Sequence, residues 1–226
     1  MTVNYNPRTV TDGLVLCLDA ANTMSYPGSG TTWTDLSGNG NNGTLVNGVG
    51  YTSDNRGSLV FDGSNDYVTL SSSQIAPGTG AFTWNFWIKL NDVSNMSIIF
   101  SGTGSNSGYG VIFANSAGYG LGYYAGGYQI VDSPTLGSSW WYITFTGNGG
   151  ANGSRNLKLY RNSVQAGSTY TVDYNFTSST PIIGANHSSF AELMRGNISN
   201  VSYYNRALTA TEVSQNFNAT RGRYGI

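Results

Sequence analysis

Between residues 82 and 90 every even position is apolar, namely Phe82, Trp84, Phe86, Ile88 and Leu90, while Thr83, Asn85 and Lys89 stand between them. A period of two belongs to a strand with one buried face; a helix brings its side chains round every 3.6 residues and cannot use it. Trp87 alone breaks the polar side. Shorter runs recur at residues 14–18, 58–61, 67–70, 97–100, 110–114, 120–124, 140–146, 156–161 and 181–184. Turn formers such as Ser37-Gly-Asn-Gly40, Asn42-Gly43, Asn47-Gly48, Asp62-Gly63 and Asn148-Gly-Gly150 separate many of them, as a chain that reverses through positive φ requires. No helical period appears before the carboxyl end, which disfavours alternating strand–helix folds. The pattern predicts an all-β fold of two antiparallel sheets packed as a sandwich.

One short helix is legible near the carboxyl end. Thr209 and Glu212 have capping-box spacing, and Val213 and Phe217, four apart, would form its apolar stripe. Just before it, residues 196–204 shift their apolar alternation between Ile198 and Val201, which predicts a strand carrying a bulge. There is no internal repeat and no proline-rich or charged linker. Residues 1–226 therefore read as one domain, with a core from about residue 12 to 218. The first residues and residues 221–226 read as extensions, mobile or used against neighbours.

Composition removes several function classes. Ten Lys and Arg stand against 11 Asp and Glu, without a basic run, so neither nucleic acid nor an anionic membrane is expected as a partner. The longest aliphatic stretch, residues 14–18, falls far short of the roughly 20 residues that span a bilayer. The first residues lack a basic segment followed by an apolar one, so no secretory leader is expected. Cys17 is the only cysteine; it excludes an intrachain disulfide and reads as a small buried apolar residue.

Catalytic constellations are thin. Glycoside hydrolysis needs two carboxylates across a sugar, yet the chain has only Glu192 and Glu212 as glutamates, and Glu212 already belongs to the helix cap. His187 is the only histidine, in a polar loop without a nucleophile nearby; one histidine and one cysteine also cannot supply a zinc site. The glycine-rich residues 102–110 lead into a strand and not into a helix that could hold phosphate. The chain is therefore expected not to be an enzyme. Asp62, Asn65 and Asp66 offer hard oxygens suited to calcium, although the same residue types also close turns on their own backbone, the reading we favour. Tyr109, Tyr119, Tyr123, Tyr124 and Tyr128 cluster in a glycine-rich stretch, and rings with a polar tip suit sugar stacking or protein contact. Charged residues make up only 9% of the chain, against about a quarter in ordinary soluble domains, so surfaces covered by partners are expected.

Three segments then stand in a telling order: residues 12–19, Leu59-Val-Phe-Asp-Gly-Ser-Asn-Asp-Tyr-Val68, and residues 196–209 with the capped helix. Together with residues 33–44 and 82–89 they resemble the laminin G-like, concanavalin A-like jelly-roll family, over about residues 12–218. The resemblance implies a two-sheet sandwich whose first and last strands pair. Relatives of this fold include sugar-binding modules, adhesion domains, glycosidases and structural parts, some with a structural loop-bound ion, so the fold alone assigns no activity. Residues 25–40 are also similar to virion structural proteins of tailed bacteriophages. The expectation is a virion surface component, a capsid decoration or tail-associated subunit made in the host cytoplasm, that contacts other virion proteins or copies of itself. The alternative is a lectin-like adhesion module for host glycans.

Overall fold

The computed structural model describes residues 8–71, 75, 77–91, 97–102, 109–114, 120–125, 128–132, 139–149, 155–172, 181–186 and 192–226. Among these residues two sheets form, each with eight strands. With strands numbered along the chain, the first sheet runs β14 (Val164–Val172), β13 (Arg155–Arg161), β12 (Trp141–Gly147), β7 (Phe82–Leu90), β16 (Arg195–Tyr204), β5 (Ser58–Asp62) and β4 (Gly50–Thr52), and β1 (Leu14–Asp19) also pairs with β16. The second runs β11 (Tyr128–Asp132), β10 (Gly120–Ala125), β9 (Tyr109–Ala114), β8 (Ser97–Gly102), β15 (Ile182–Ile183), β6 (Tyr67–Leu70), β3 (Gly43–Val46) and β2 (Thr32–Trp33). Neighbours pair antiparallel, and the first and last strands meet, Leu18 opposite Val201. This is the sandwich that the alternation requires.

The core lies between the sheets, where β7 supplies Phe82, Trp84, Phe86 and Ile88, all fully buried. Trp84 stacks on Phe86 at 5.8 Å and leans on Tyr203 at 4.7 Å; such ring pairs add about 0.5–1.5 kcal/mol beyond burial itself. Leu16 and Leu18 of β1, Trp33, Phe61, Val68 and Ile143 complete the filling. The bulge in β16 falls between Ile198 and Asn200. Its extra residue lets Ile198 and Val201, three apart and so on opposite faces of a regular strand, both enter the core. Ser199 is fully buried, its hydroxyl donating to the Gly57 carbonyl at 2.6 Å and its own carbonyl accepting from the Ala20 amide at 2.8 Å.

The helix α1 (Ala210–Thr220) begins at Thr209 with the full capping box, and Val213 and Phe217 are its buried residues together with Asn216. The polar side of β7 departs from the sequence reading. Thr83, Asn85 and Trp87 are all fully buried, because α1 and residues 221–224 lie over that face of the first sheet. Trp87 joins Trp140, Tyr142, Phe217 and Tyr224 in a second aromatic cluster. The carboxyl-terminal residues are likewise not a loose extension: Tyr224 stacks on Trp87 at 3.9 Å, and Arg223 pairs with Asp19 at 2.7 and 2.8 Å.

Candidate functional site

Each sheet turns one face to the core, so any recognition surface must come from the two outer faces or from the loops. The outer face of the first sheet is covered at its centre, over β12, β7 and β16, while Asn156 and Asp62 on its flanking strands are exposed. Thr144 donates to the Asn85 amide oxygen at 2.7 Å, and the Asn85 amide nitrogen donates to Ser202 at 3.1 Å, a polar row across three strands under α1. Thr83 donates to the Arg206 carbonyl and accepts the Leu208 amide, both at 2.8 Å. Tyr204 donates to the Val10 carbonyl at 2.9 Å, the Val10 amide donates to Asn216 at 2.7 Å, and Asn216 returns a bond to Tyr204 at 3.1 Å. Buried polar groups satisfied this fully are structural.

The register fixes the two faces of the second sheet. One row reads Gln129, Tyr123, Val111, Phe100, Ile183, Val68 and Leu45, and Val111, Ile183, Val68 and Leu45 belong to the core. The next row reads Tyr128, Tyr124, Gly110, Ser101, Ile182, Thr69, Thr44 and Thr32. Thr44 and Thr32 are exposed and Thr69 half-buried, so this row lies on the outer side of the sheet, where Ile182 is nevertheless buried. The tyrosine cluster therefore divides. Tyr109 and Tyr123 occupy positions on the core-facing side with Val111 and Leu121, whereas Tyr124 and Tyr128 are directly paired on the outer side beside Gly110. Alternation alone could not show this, because it does not say which strand lies next to which. Tyr119 and His187 lie outside the described residues.

At the loops, the residues proposed for calcium form a turn. The Asp66 carboxylate accepts the Asp62 amide at 3.0 Å, and the Asp62 carboxylate accepts the Ser64 amide at 2.7 Å. Gly63 takes the positive φ of 79° that the turn needs. The Asn65 carbonyl accepts from Asn47 at 3.0 Å. Burial raises the Asp66 pKa, and the neighbouring Asp62 charge adds to the effect. No third acid, histidine or cysteine stands with them among the described residues.

Most of the other described acids serve the fold. Asp35, buried, accepts from the Cys17 amide (2.8 Å), the Ser37 amide (2.9 Å) and hydroxyl (2.7 Å), and the Asn41 amide (2.9 Å). Asp132 pairs with Arg161 at 2.5 Å, and Glu192 accepts from Asn186 at 2.6 Å. Glu212 accepts the Thr209 amide at 2.8 Å and takes both arms of Arg206, at 2.6 and 3.0 Å. The bond to Arg206 is the chief reason its pKa falls to about 2. Arg206 also reaches Asp12 at 2.8 Å. Among the described acids only Asp54 has a carboxylate without a hydrogen-bond or ion-pair partner. The Cys17 thiol is pushed up to about 12, first by burial and then by Asp19 and Asp35, which makes it a poor nucleophile. No described helix is long and apolar enough to cross a membrane.

This sandwich places the chain by class. It belongs to the laminin G-like family of the concanavalin A-like lectin/glucanases superfamily, whose model matches residues 62–214. No curated protein sequence matches it significantly. Among solved structures it is similar to the binding domain of Paraclostridial Mosquitocidal Protein 1, at 17% identity and a TM-score of 0.69 over 92% of this chain and 52% of that one. It is also similar to domain 4 of an extracellular arabinanase from Geobacillus stearothermophilus, solved with arabinotriose, at 16% identity and TM-score 0.67 over 89% and 96%. A third is Trypanosoma rangeli sialidase in complex with sialic acid, at 20% identity and TM-score 0.70 over 93% and 33%. The chain thus spans about half of the first of these and a third of the last. At these identities the likeness establishes the fold.

Proposed function

We propose that this chain is a non-enzymatic recognition module that binds glycans on the outer face of its second sheet. The observation that carries the reading is the register: Tyr124 and Tyr128 are paired across β10 and β11 in the outer row, with Gly110 next in it, while α1 covers the centre of the opposite outer face. Two aromatic residue types at adjacent register positions beside a glycine are the composition that suits a sugar ring, and hydroxyl-bearing residues further along the row suit its polar edge. The binding-domain relatives support this reading, and the commitment of the described acids other than Asp54 to structural bonds favours binding over hydrolysis. The test is a glycan array followed by calorimetry on Tyr124→Ala and Tyr128→Ala. Each change is expected to weaken a neutral glycan about three- to tenfold, in line with one lost aromatic contact; absence of any binder across a broad panel refutes the reading.

A second reading is favoured by the charge content of 9%. In it the chain is a phage virion subunit, a capsid decoration or tail-associated protein whose uncharged faces are covered by virion proteins or by further copies. The two readings are compatible, since a virion adhesin would bind glycans from its particle. Imaging of purified particles that shows no density for this fold would remove the second.

A further inference from the structure

Where α1 ends, a cleft of about 720 Å³ opens, lined by Arg56, Asn218, Thr220, Arg221, Arg223 and Ile226 among others. Its size is that of a small-ligand site. Three of the ten basic residues of a chain with net charge −1 line it.

The position of Arg56 is enforced. Asn55 and Arg56 both adopt left-handed backbone, with φ of 53° and 72°, unfavourable for residues with a Cβ and found where the surroundings over-determine the chain, often at ligand clamps. The surroundings here are visible: the Trp140 indole donates to the Asn55 amide oxygen at 3.0 Å, and the Asn55 amide nitrogen donates to the Arg223 carbonyl at 3.2 Å. Both ends of one side chain are thus tied to other segments, and the next residue is delivered to the cleft. Arg56 itself makes no hydrogen bond or ion pair among the described residues. Arg221 rests over the Phe217 ring at 5.7 Å without an acid partner. Arg223 is neutralised by Asp19, and the carbonyl end of α1 offsets part of Arg221. Arg56 thus has no ion-paired acid among the described residues, and the nearest carboxylate in sequence, Asp54, lies outside the cleft lining.

We infer that this cleft binds the oxyanion of an acidic saccharide, a carboxylate or a sulfate ester, with Arg56 and Arg221 as donors. Guanidinium forks match both groups. Only the saccharide carrier rests on the glycan-binding reading; the oxyanion chemistry does not.

Calorimetry with a sulfated heparin tetrasaccharide, trigalacturonate, neutral arabinotriose and inorganic sulfate tests it, on the wild type and on Arg56→Gln, Arg56→Glu and Arg221→Gln. At least one acidic saccharide is expected to bind about tenfold more tightly than the neutral one, and each Gln variant to lose roughly five- to tenfold, Arg56→Glu more. Added salt should weaken the binding. The tighter acidic arm names the source, and competition by inorganic sulfate alone supports the same site. Equal affinity for acidic and neutral sugars, or unchanged affinity in Arg56→Glu, overturns the inference. Loss of neutral binding in Tyr124→Ala with oxyanion binding intact separates the two sites; an effect of Arg56→Gln without any effect of Tyr124→Ala sinks the tyrosine reading alone.

Discussion

Asp35 shows how one residue holds a loop. Its two oxygens take four donors from residues 17, 37 and 41, fixing the loop after β2 against β1. Removing the carboxylate strands buried amides, each worth about 1–3 kcal/mol, so Asp35→Ala is expected to cost about 3–5 kcal/mol in urea unfolding, and Asp35→Asn about half. Glu212 behaves differently because its pKa is moved. Its folded value of about 2 lies below the ordinary 4.5, so its contribution is present above about pH 4.5 and fades as pH falls towards 2. Thermal unfolding should therefore separate wild type from Glu212→Gln at neutral pH and bring them together near pH 2; a constant gap across that range would refute the charge-based account. The cap was legible from Thr209 and Glu212, whereas Arg206 and Asp12 were not, since nothing in their spacing says that they converge on the same carboxylate.

At the scale of elements, the strands that show in the sequence are those with one face in the core. β7 and the bulged β16 were legible because alternation, and its single interruption, records which side chains the core takes. β14 was not. It is a sheet edge with Val164 70% exposed and Ala166 its single buried residue among those described, and a strand with so little buried surface shows no period. The short β2, β3 and β4 hid among turn residues for a similar reason. The carboxyl-terminal segment is the element whose role only packing reveals. Removing residues 221–226 should uncover Trp87 and leave Asp19 a buried charge without its partner, at a cost of about 3–5 kcal/mol. A lowered urea midpoint with the fold retained is the expected result, and an unchanged midpoint would show that the docked tail contributes nothing.

At the scale of the molecule, the two outer faces have been given different work. One is roofed over its centre by a helix and a tail through a satisfied polar seam; the other has Thr32 and Thr44 exposed along its β2–β3 edge. Binding to the tyrosine pair and to the arginine cleft would use separate surfaces, and the variants named above address each without touching the other. The sequence by itself determined that the chain is a β-sandwich with a capped terminal helix, because periodicity and turn chemistry are local and need no partner. It also carried the family, in motifs spaced along the strands. Only the tertiary structure decided which tyrosines share a face, that the polar side of β7 is buried, and that Arg56 and Arg221 meet at one cleft. Those facts depend on strand order and register, which bring together residues far apart along the chain, and no local pattern encodes such a distance.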